Sequence, residues 1–405
     1  MESHQNLATN AVGFCLLPSE LIQHIFLHLA LPDIIRIKSV NKSILSIISD
    51  QEFVRNYNLE SASAFATWLF IYKKRWHRDA ILHGFADCSN RWFKIMIGEL
   101  LKKVVPPGED VYFLAASGNF FLFALNNSQQ LISINHVTRA VKKIPPSPLG
   151  PRGTSSWRRS GMKLLSYPPG SNDFRFLFAE LDENRPILYE YDSQTNNWVF
   201  KEARENDFET SDGCTFLSAC NARSGSVVIA TKGPYETPIV LRPRLSGAVN
   251  EEGQLAIGFS RENYIDLLHI YGDGNMMIVR SNQVYDANVK VRVLTGVELW
   301  GMSTNGRHWD LITRVPNELI EQIKKPYGAM MGCLEQRDGI IRAVLMSNLE
   351  GIWDIIWLCY DILKKDWNRI EVPECEMKGS IMAGISLSSA LTLRHMSLLN
   401  WKNYS

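Results

Sequence analysis

At 405 residues the chain is long enough for two or three ordinary domains, or for a short module joined to one large repeat domain. Hydrophobic residues make up 45% and charged residues 21%, a globular composition that excludes extended disorder. A formal net charge of +1 excludes a global electrostatic pull toward nucleic acid or anionic lipid.

Residues 1–13 read as a flexible N-terminus, and Met1 to Asn10 carry no basic-then-apolar leader. Residues 14–57 read as helical. Leu17-Pro18-Ser19-Glu20 opens a helix, with Pro18 near the first turn, where a missing N–H is harmless. Leu21, Ile22, Ile25, Phe26 and Leu29 then form an apolar face at helical spacing. Pro32-Asp33 opens a second short helix with Ile34, Ile37 and Val40. Asn41 is placed to cap a third, and Asp50 precedes a last turn ending at Phe53. These short helices carry more large aliphatics than they can bury among themselves, so the surplus must meet the rest of the chain or another protein.

The order of these residues resembles the F-box. The match runs through Leu17-Pro18-x-Glu20-Leu21-Ile22, Leu31-Pro32-Asp33-Ile34-Ile35-Arg36, Val40-Asn41-Lys42-Ser43 and Ile47-Ile48-Ser49-Asp50. It departs at Ile44, where Trp is usual in plant members, and at Asn41, where Cys is common. The resemblance implies docking on a Skp-family adaptor and, through it, on a cullin. The expected docking residues are Leu17, Pro18, Leu21, Ile22, Ile25, Phe26, Leu29, Pro32, Ile34 and Val40.

Residues 58–64 are expected to be a linker, and 65–400 a β-rich domain. Within it a strand, an acidic or amide turn and an aromatic residue opening the next strand recur. The clearest copy is Leu188-Tyr189-Glu190-Tyr191-Asp192 followed by Asn196-Asn197-Trp198; others end at Trp92, Val141, Trp309 and Trp367. Their spacing is about 55 residues, with one interval twice as long, which predicts six units and an anchor lost near residue 253. No unit buries its faces alone, so the units must stack. Together with Arg91-Trp92-Phe93-Lys94-Ile95 and Asn135-x-x-Thr138-Arg139 before Ile144-Pro145-Pro146, the pattern is similar to the propeller of plant F-box/kelch proteins. A β-sandwich or two smaller β domains is the alternative. The expected fold is therefore α+β multidomain: a three-helix F-box followed by an all-β, six-bladed kelch-type propeller.

Seven cysteines without CxxC spacing read as free thiols of a reducing compartment, cytoplasm or nucleus, and predict no zinc site. The longest apolar runs, Phe120 to Leu125 and Ile355 to Tyr360, are too short to cross a bilayer, which takes about 20 residues. His24 and His28 lie four apart on a helix, but no Glu follows His24, so they are not a metalloprotease pair. Gly272-Asp273-Gly274 reads as a hairpin turn. No cofactor, metal or catalytic residue is expected. Residues 111–172 hold no Asp or Glu, and Lys142, Lys143, Arg152, Arg158 and Arg159 could form a basic loop facing an acidic substrate. Nucleic-acid binding is not expected.

The function implied by the resemblance is substrate recognition in a Skp–cullin–F-box ubiquitin ligase. The helices would dock on the adaptor and the β domain would bind an unidentified protein substrate. The rivals are a propeller enzyme, which predicts a carboxylate or metal cluster at a central channel, and a cullin-independent scaffold.

Overall fold

The computed structural model describes residues 17–61, 65–74, 80–154, 157, 161–166, 172–182, 185–202, 215–221, 226–232, 255–256, 269–271, 277–286, 291–302, 308–375, 381–389 and 391–393. The Gly272 turn, Arg158, Arg159 and the lost anchor near residue 253 lie outside the described residues.

Four helices come first: α1 (Ser19–Leu27), α2 (Leu31–Ile37), α3 (Lys42–Ile48) and α4 (Gln51–Glu60). Asn41 caps α3 by accepting from the Ile44 amide at 2.8 Å. Asp50 caps α4 through the amides of Glu52 and Phe53. The expected single last turn is instead a ten-residue helix that continues past 57 into the expected linker. Val54 and Tyr57 extend the buried face of Phe53, and the Tyr57 hydroxyl donates to the Leu29 carbonyl at 2.8 Å. No helix among the described residues is long and apolar enough to cross a membrane.

The strands then form six antiparallel sheets among the described residues. The first has the order β24-β1-β2-β3, with β1 (Thr67–Lys74), β2 (Ile81–Ala86), β3 (Phe93–Met96) and the distant β24 (Ile381–Ser389). The second is β4 (Val111–Ser117), β5 (Phe120–Leu125), β6 (Leu131–Asn135) and β7 (Ala140–Ile144). The third is β8 (Gly161–Ser166), β9 (Phe174–Asp182), β10 (Arg185–Asp192) and β11 (Asn197–Glu202). The fourth pairs β12 (Thr215–Asn221) with β13 (Ser226–Lys232). The fifth joins β14 (Leu255–Ala256), β18 (His308–Arg314), β17 (Val291–Met302), β16 (Met277–Asp286) and β15 (His269–Tyr271), with β19 (Pro326–Tyr327) against β17. The sixth is β20 (Ala329–Arg337), β21 (Ile340–Leu349), β22 (Ile352–Asp361) and β23 (Asp366–Ile370).

The sheets stack face to face, because both faces of their middle strands are apolar. In β5, Phe121, Phe123 and Leu125 pack toward the first sheet, and Phe120, Leu122 and Ala124 toward the third. In β1, Trp68, Phe70 and Tyr72 face the second sheet, and Leu69 and Ile71 meet Val344, Met346 and Trp357 of the sixth. In the sixth sheet, Ile341, Ala343 and Leu345 face Leu294, Val297 and Leu299 of the fifth. The stacking order is thus fifth, sixth, first, second, third, an arrangement compatible with a propeller.

The anchor positions stand at or just before the start of a strand: Trp92 before β3, Val141 in β7, Trp198 in β11, Trp309 in β18 and Trp367 in β23; β3, β7, β11 and β23 are edge strands, whereas β18 also pairs with β14. Three indoles reach the preceding sheet in the stack. Trp198 Nε1 donates to the Pro145 carbonyl at 3.1 Å, Trp367 Nε1 to Thr313 Oγ1 at 3.2 Å, and Trp92 Nε1 to the Pro373 carbonyl at 2.8 Å. The turns before these strands share one chemistry. Asn135, Asp192 and Asp361 each accept from backbone amides two or three residues on. The residue four positions later, Arg139, Asn196 or Lys365, takes a left-handed φ of 56–58°.

The first sheet is closed by β24, which pairs with β1 from Thr67↔Ser389 to Lys74↔Ile381. Gly384 of β24 lies against the backbone of β4 with φ +147°, and a Cβ there would sit 2.1 Å from the Phe113 carbonyl oxygen. Neither backbone can give way without breaking its sheet. Gly384→Ala should therefore destabilise the protein by about 3 kcal/mol or more, read as a lowered midpoint in urea unfolding.

Candidate functional site

The four helices turn one face into the body and one outward. Ile22, Phe26, Leu31, Ile34, Ile48, Phe53 and Tyr57 are buried in a core continuous with Trp68, Phe93, Leu391 and Leu393 of the β part. Asn58 on α4 is tied to the segment after β24 by two bonds: its Nδ2 donates to the Leu393 carbonyl at 2.8 Å and its Oδ1 accepts from the Leu393 amide at 2.7 Å. Asp33 on α2 pairs with Arg91, in the turn before β3. Part of the surplus apolar surface of the helices is therefore covered by their own chain.

Part of it is not. Leu21 is 52% exposed, Ile25 42% and Val40 64%. Pro18 is exposed as well, and Leu17 and Leu29 are half-buried. Leu17, Leu21, Ile25 and Leu29 recur every four residues, so they form one stripe along α1 and its flanks. The ten expected docking residues thus divide. Leu17, Pro18, Leu21, Ile25, Leu29 and Val40 reach the surface. Ile22, Phe26, Pro32 and Ile34 are buried behind it, with Phe26 only 3% exposed, because the β part absorbs the inner face. Those four support the outer stripe and cannot meet a partner while the domain is folded.

Lys38, just past α2, carries a signal absent from the sequence pattern. Its side chain is buried, and its Nζ has no hydrogen-bond partner among the described residues. Burial pushes its pKa down to about 8. His24 and His28 are exposed and meet edge to face with centroids 5.2 Å apart. Among the described residues no cluster of three or more His, Cys, Asp or Glu is placed to hold a metal.

The expected basic loop is not assembled as a cationic face by its described members. Lys142 donates to the Ser193 carbonyl and stands 5.9 Å from the Tyr191 ring centroid. Arg152 pairs with Glu180 and lies over the rings of Trp157 and Phe178. Both charges are thus spent inside the third sheet and its border with the second, and of the described members Lys143 alone is exposed. Where the inner strands meet, Glu335 of β20 bonds Ser389 of β24 and faces Lys163 of β8. Burial raises the Glu335 pKa against the pull of Ser389, Lys163, Arg342 and Arg337, and lowers that of Lys163 to about 8. Arg342 pairs with Asp87 at 3.2 Å. This cluster places acids among cations, across the border of the sixth, first and third sheets.

A family model of the F-box domain matches residues 14–56. No curated protein matches the chain. Among solved structures, the chain is similar to one from a nidogen/laminin complex, with 8% identity, 80% of this chain and 99% of that chain covered, and a TM-score of 0.34. It is also similar to apo AztD from Citrobacter koseri, with 10% identity, 81% and 100% covered, and a TM-score of 0.31. Likenesses this distant carry no argument about what the β part does.

The Lys38 environment makes a pH-dependent prediction. With a folded pKa near 8 and an unfolded value of about 10.4, the charged lysine destabilises the fold below pH 8, and the cost disappears as pH rises through 10.4. Lys38→Met should raise stability by about 2–3 kcal/mol at pH 7. That gain should shrink between pH 8 and 10.5, measured by urea unfolding of both proteins across the range.

Proposed function

We propose that this protein is the substrate-recognition subunit of a Skp–cullin–F-box ubiquitin ligase, in which the helices bind a Skp-family adaptor and the stacked sheets, a kelch-type six-bladed propeller, hold a protein substrate. The observation that carries the reading is the outward apolar stripe of α1, within a segment that matches the F-box. Apolar side chains at this density on a small domain are covered in the working assembly, since water contact forgoes about 1.5–3 kcal/mol for each Leu or Ile.

The mechanism is division of labour. The adaptor covers Leu17, Pro18, Leu21, Ile25, Leu29 and Val40, and burial of this stripe supplies the affinity. The inner residues Ile22, Phe26, Leu31 and Ile34 keep the stripe rigid, so little ordering entropy is lost on docking. The cullin is reached only through the adaptor. The body holds the substrate within reach of a conjugating enzyme recruited by the complex, and the rate gain comes from proximity and orientation. In this reading the chain contributes no catalytic side chain and acts in the cytoplasm or nucleus.

The distinction between outer and inner residues gives the test. Leu21→Asp with Ile25→Asp should leave the thermal midpoint within a few degrees of the parent, because both positions are exposed. It should weaken binding to a purified Skp-family adaptor by at least about 100-fold in calorimetry. Unchanged adaptor affinity in the folded double variant would overturn the docking assignment.

A further inference from the structure

Two histidines share the exposed side of α1. His24 stands in its last turn, and His28 is the residue at its C-terminal cap. Four residues apart is close to one helical turn, so the two side chains project side by side. Both are exposed, and their ring centroids are 5.2 Å apart with the ring planes at 89°. Among the described residues neither ring has a hydrogen bond or an ion pair, so the ring nitrogens are available to a ligand from outside the chain.

The separation of the rings has a chemical meaning. A tetrahedral ion of the zinc type holds imidazole nitrogens at about 2.0–2.1 Å, which places the centroids of two ligating rings about 5 Å apart. The helix therefore already sets the separation that a shared ion requires. The χ2 torsion of histidine is broad, so each ring can turn one nitrogen toward a common point without moving the backbone.

The surroundings favour a cation. The partial negative charge of a helix C-terminus falls on its last turn, where both rings stand. Glu20, one turn before His24, is exposed on the same helix, and α1 itself carries no Lys or Arg. The ligand type selects among cations. Magnesium and calcium take oxygen ligands, whereas neutral imidazole suits borderline first-row divalent ions. No third His, Cys, Asp or Glu among the described residues is placed to join the pair, so the chain supplies two positions and leaves the others to water.

We propose that His24 and His28 form a two-histidine chelate for a divalent ion of the zinc class, at the rim of the stripe that carries Leu21 and Ile25. The site uses none of the residues assigned to adaptor docking, so it stands or falls independently of that reading.

The test is calorimetric titration of the full chain, carrying no histidine tag, with zinc chloride in a buffer that does not bind zinc. The parent should bind one ion more per chain than the double variant His24→Gln with His28→Gln. The dissociation constant for that ion should be of micromolar to submillimolar order, as suits half the ligands of a structural zinc site. Either single variant should weaken this ion by at least about tenfold, because the second imidazole binds only through the high effective concentration that the first provides. Without zinc all three variants should keep the thermal midpoint of the parent, since both positions are exposed. A millimolar excess of magnesium should leave the titration unchanged, and acid should weaken binding as protons compete for both nitrogens. Equal zinc stoichiometry in the parent and the double variant would overturn the proposal. So would a single variant with the affinity of the parent, which describes two separate one-histidine contacts and no chelate.

Discussion

A sheet that is apolar on both faces cannot stand at the edge of a protein; it needs a neighbour on each side. That constraint governs this molecule. The middle strands β1, β5, β21 and β22 are buried on both faces, and each sends alternate side chains to two different neighbours. The sheets at the two ends of the chain, the first and the sixth, also meet. The pairing of β24 with β1, the Trp92 bond to Pro373 and the Arg342–Asp87 pair join them. The same closure seats the helices, because the residues just after β24 fill the core beneath α4 and bond Asn58.

The helical domain shows how one amphipathic surplus is shared between two purposes. Ile22 and Phe26 on α1 serve cohesion with the body, while Leu21 and Ile25, each one position away, remain in water. A turn of 100° per residue suffices to separate them. Docking through the outer stripe, as proposed, would require no rearrangement of the inner one. The reciprocal Asn58–Leu393 bonds and the Asp33–Arg91 pair further fix the angle between the stripe and the sheets.

Much of this was legible in the sequence for identifiable reasons. The helix starts were signalled by Pro18, Asn41 and Asp50, whose chemistry is local. The outer strands were signalled by a turn residue and an aromatic at fixed separation, since Asp192 must fold the turn and Trp198 must reach the preceding sheet. Direction around a helix was not legible. Leu21 and Phe26 are equally apolar, and only the position of the β part decides which is covered. The full length of α4 was missed because Asn58, Leu59 and Glu60 look like linker residues until Leu393 is placed beside them. The basic run around Lys142 and Arg152 misled for a similar reason: the carbonyl of Ser193 and the carboxylate of Glu180 that consume these charges are 51 and 28 residues away in the chain.

The contact between Asn58 and Leu393 also orders events during synthesis. The helices leave the ribosome hundreds of residues before β24 exists, on the order of tens of seconds at ordinary elongation rates. Throughout that interval the underside of α4 lacks Leu391 and Leu393, and a nascent chain displays both its outward stripe and its unfinished seat. The helical domain reaches its final burial only when translation has delivered the strand that shuts the body, so a prematurely terminated product would carry a half-seated module that chaperones and proteases can tell from a finished one.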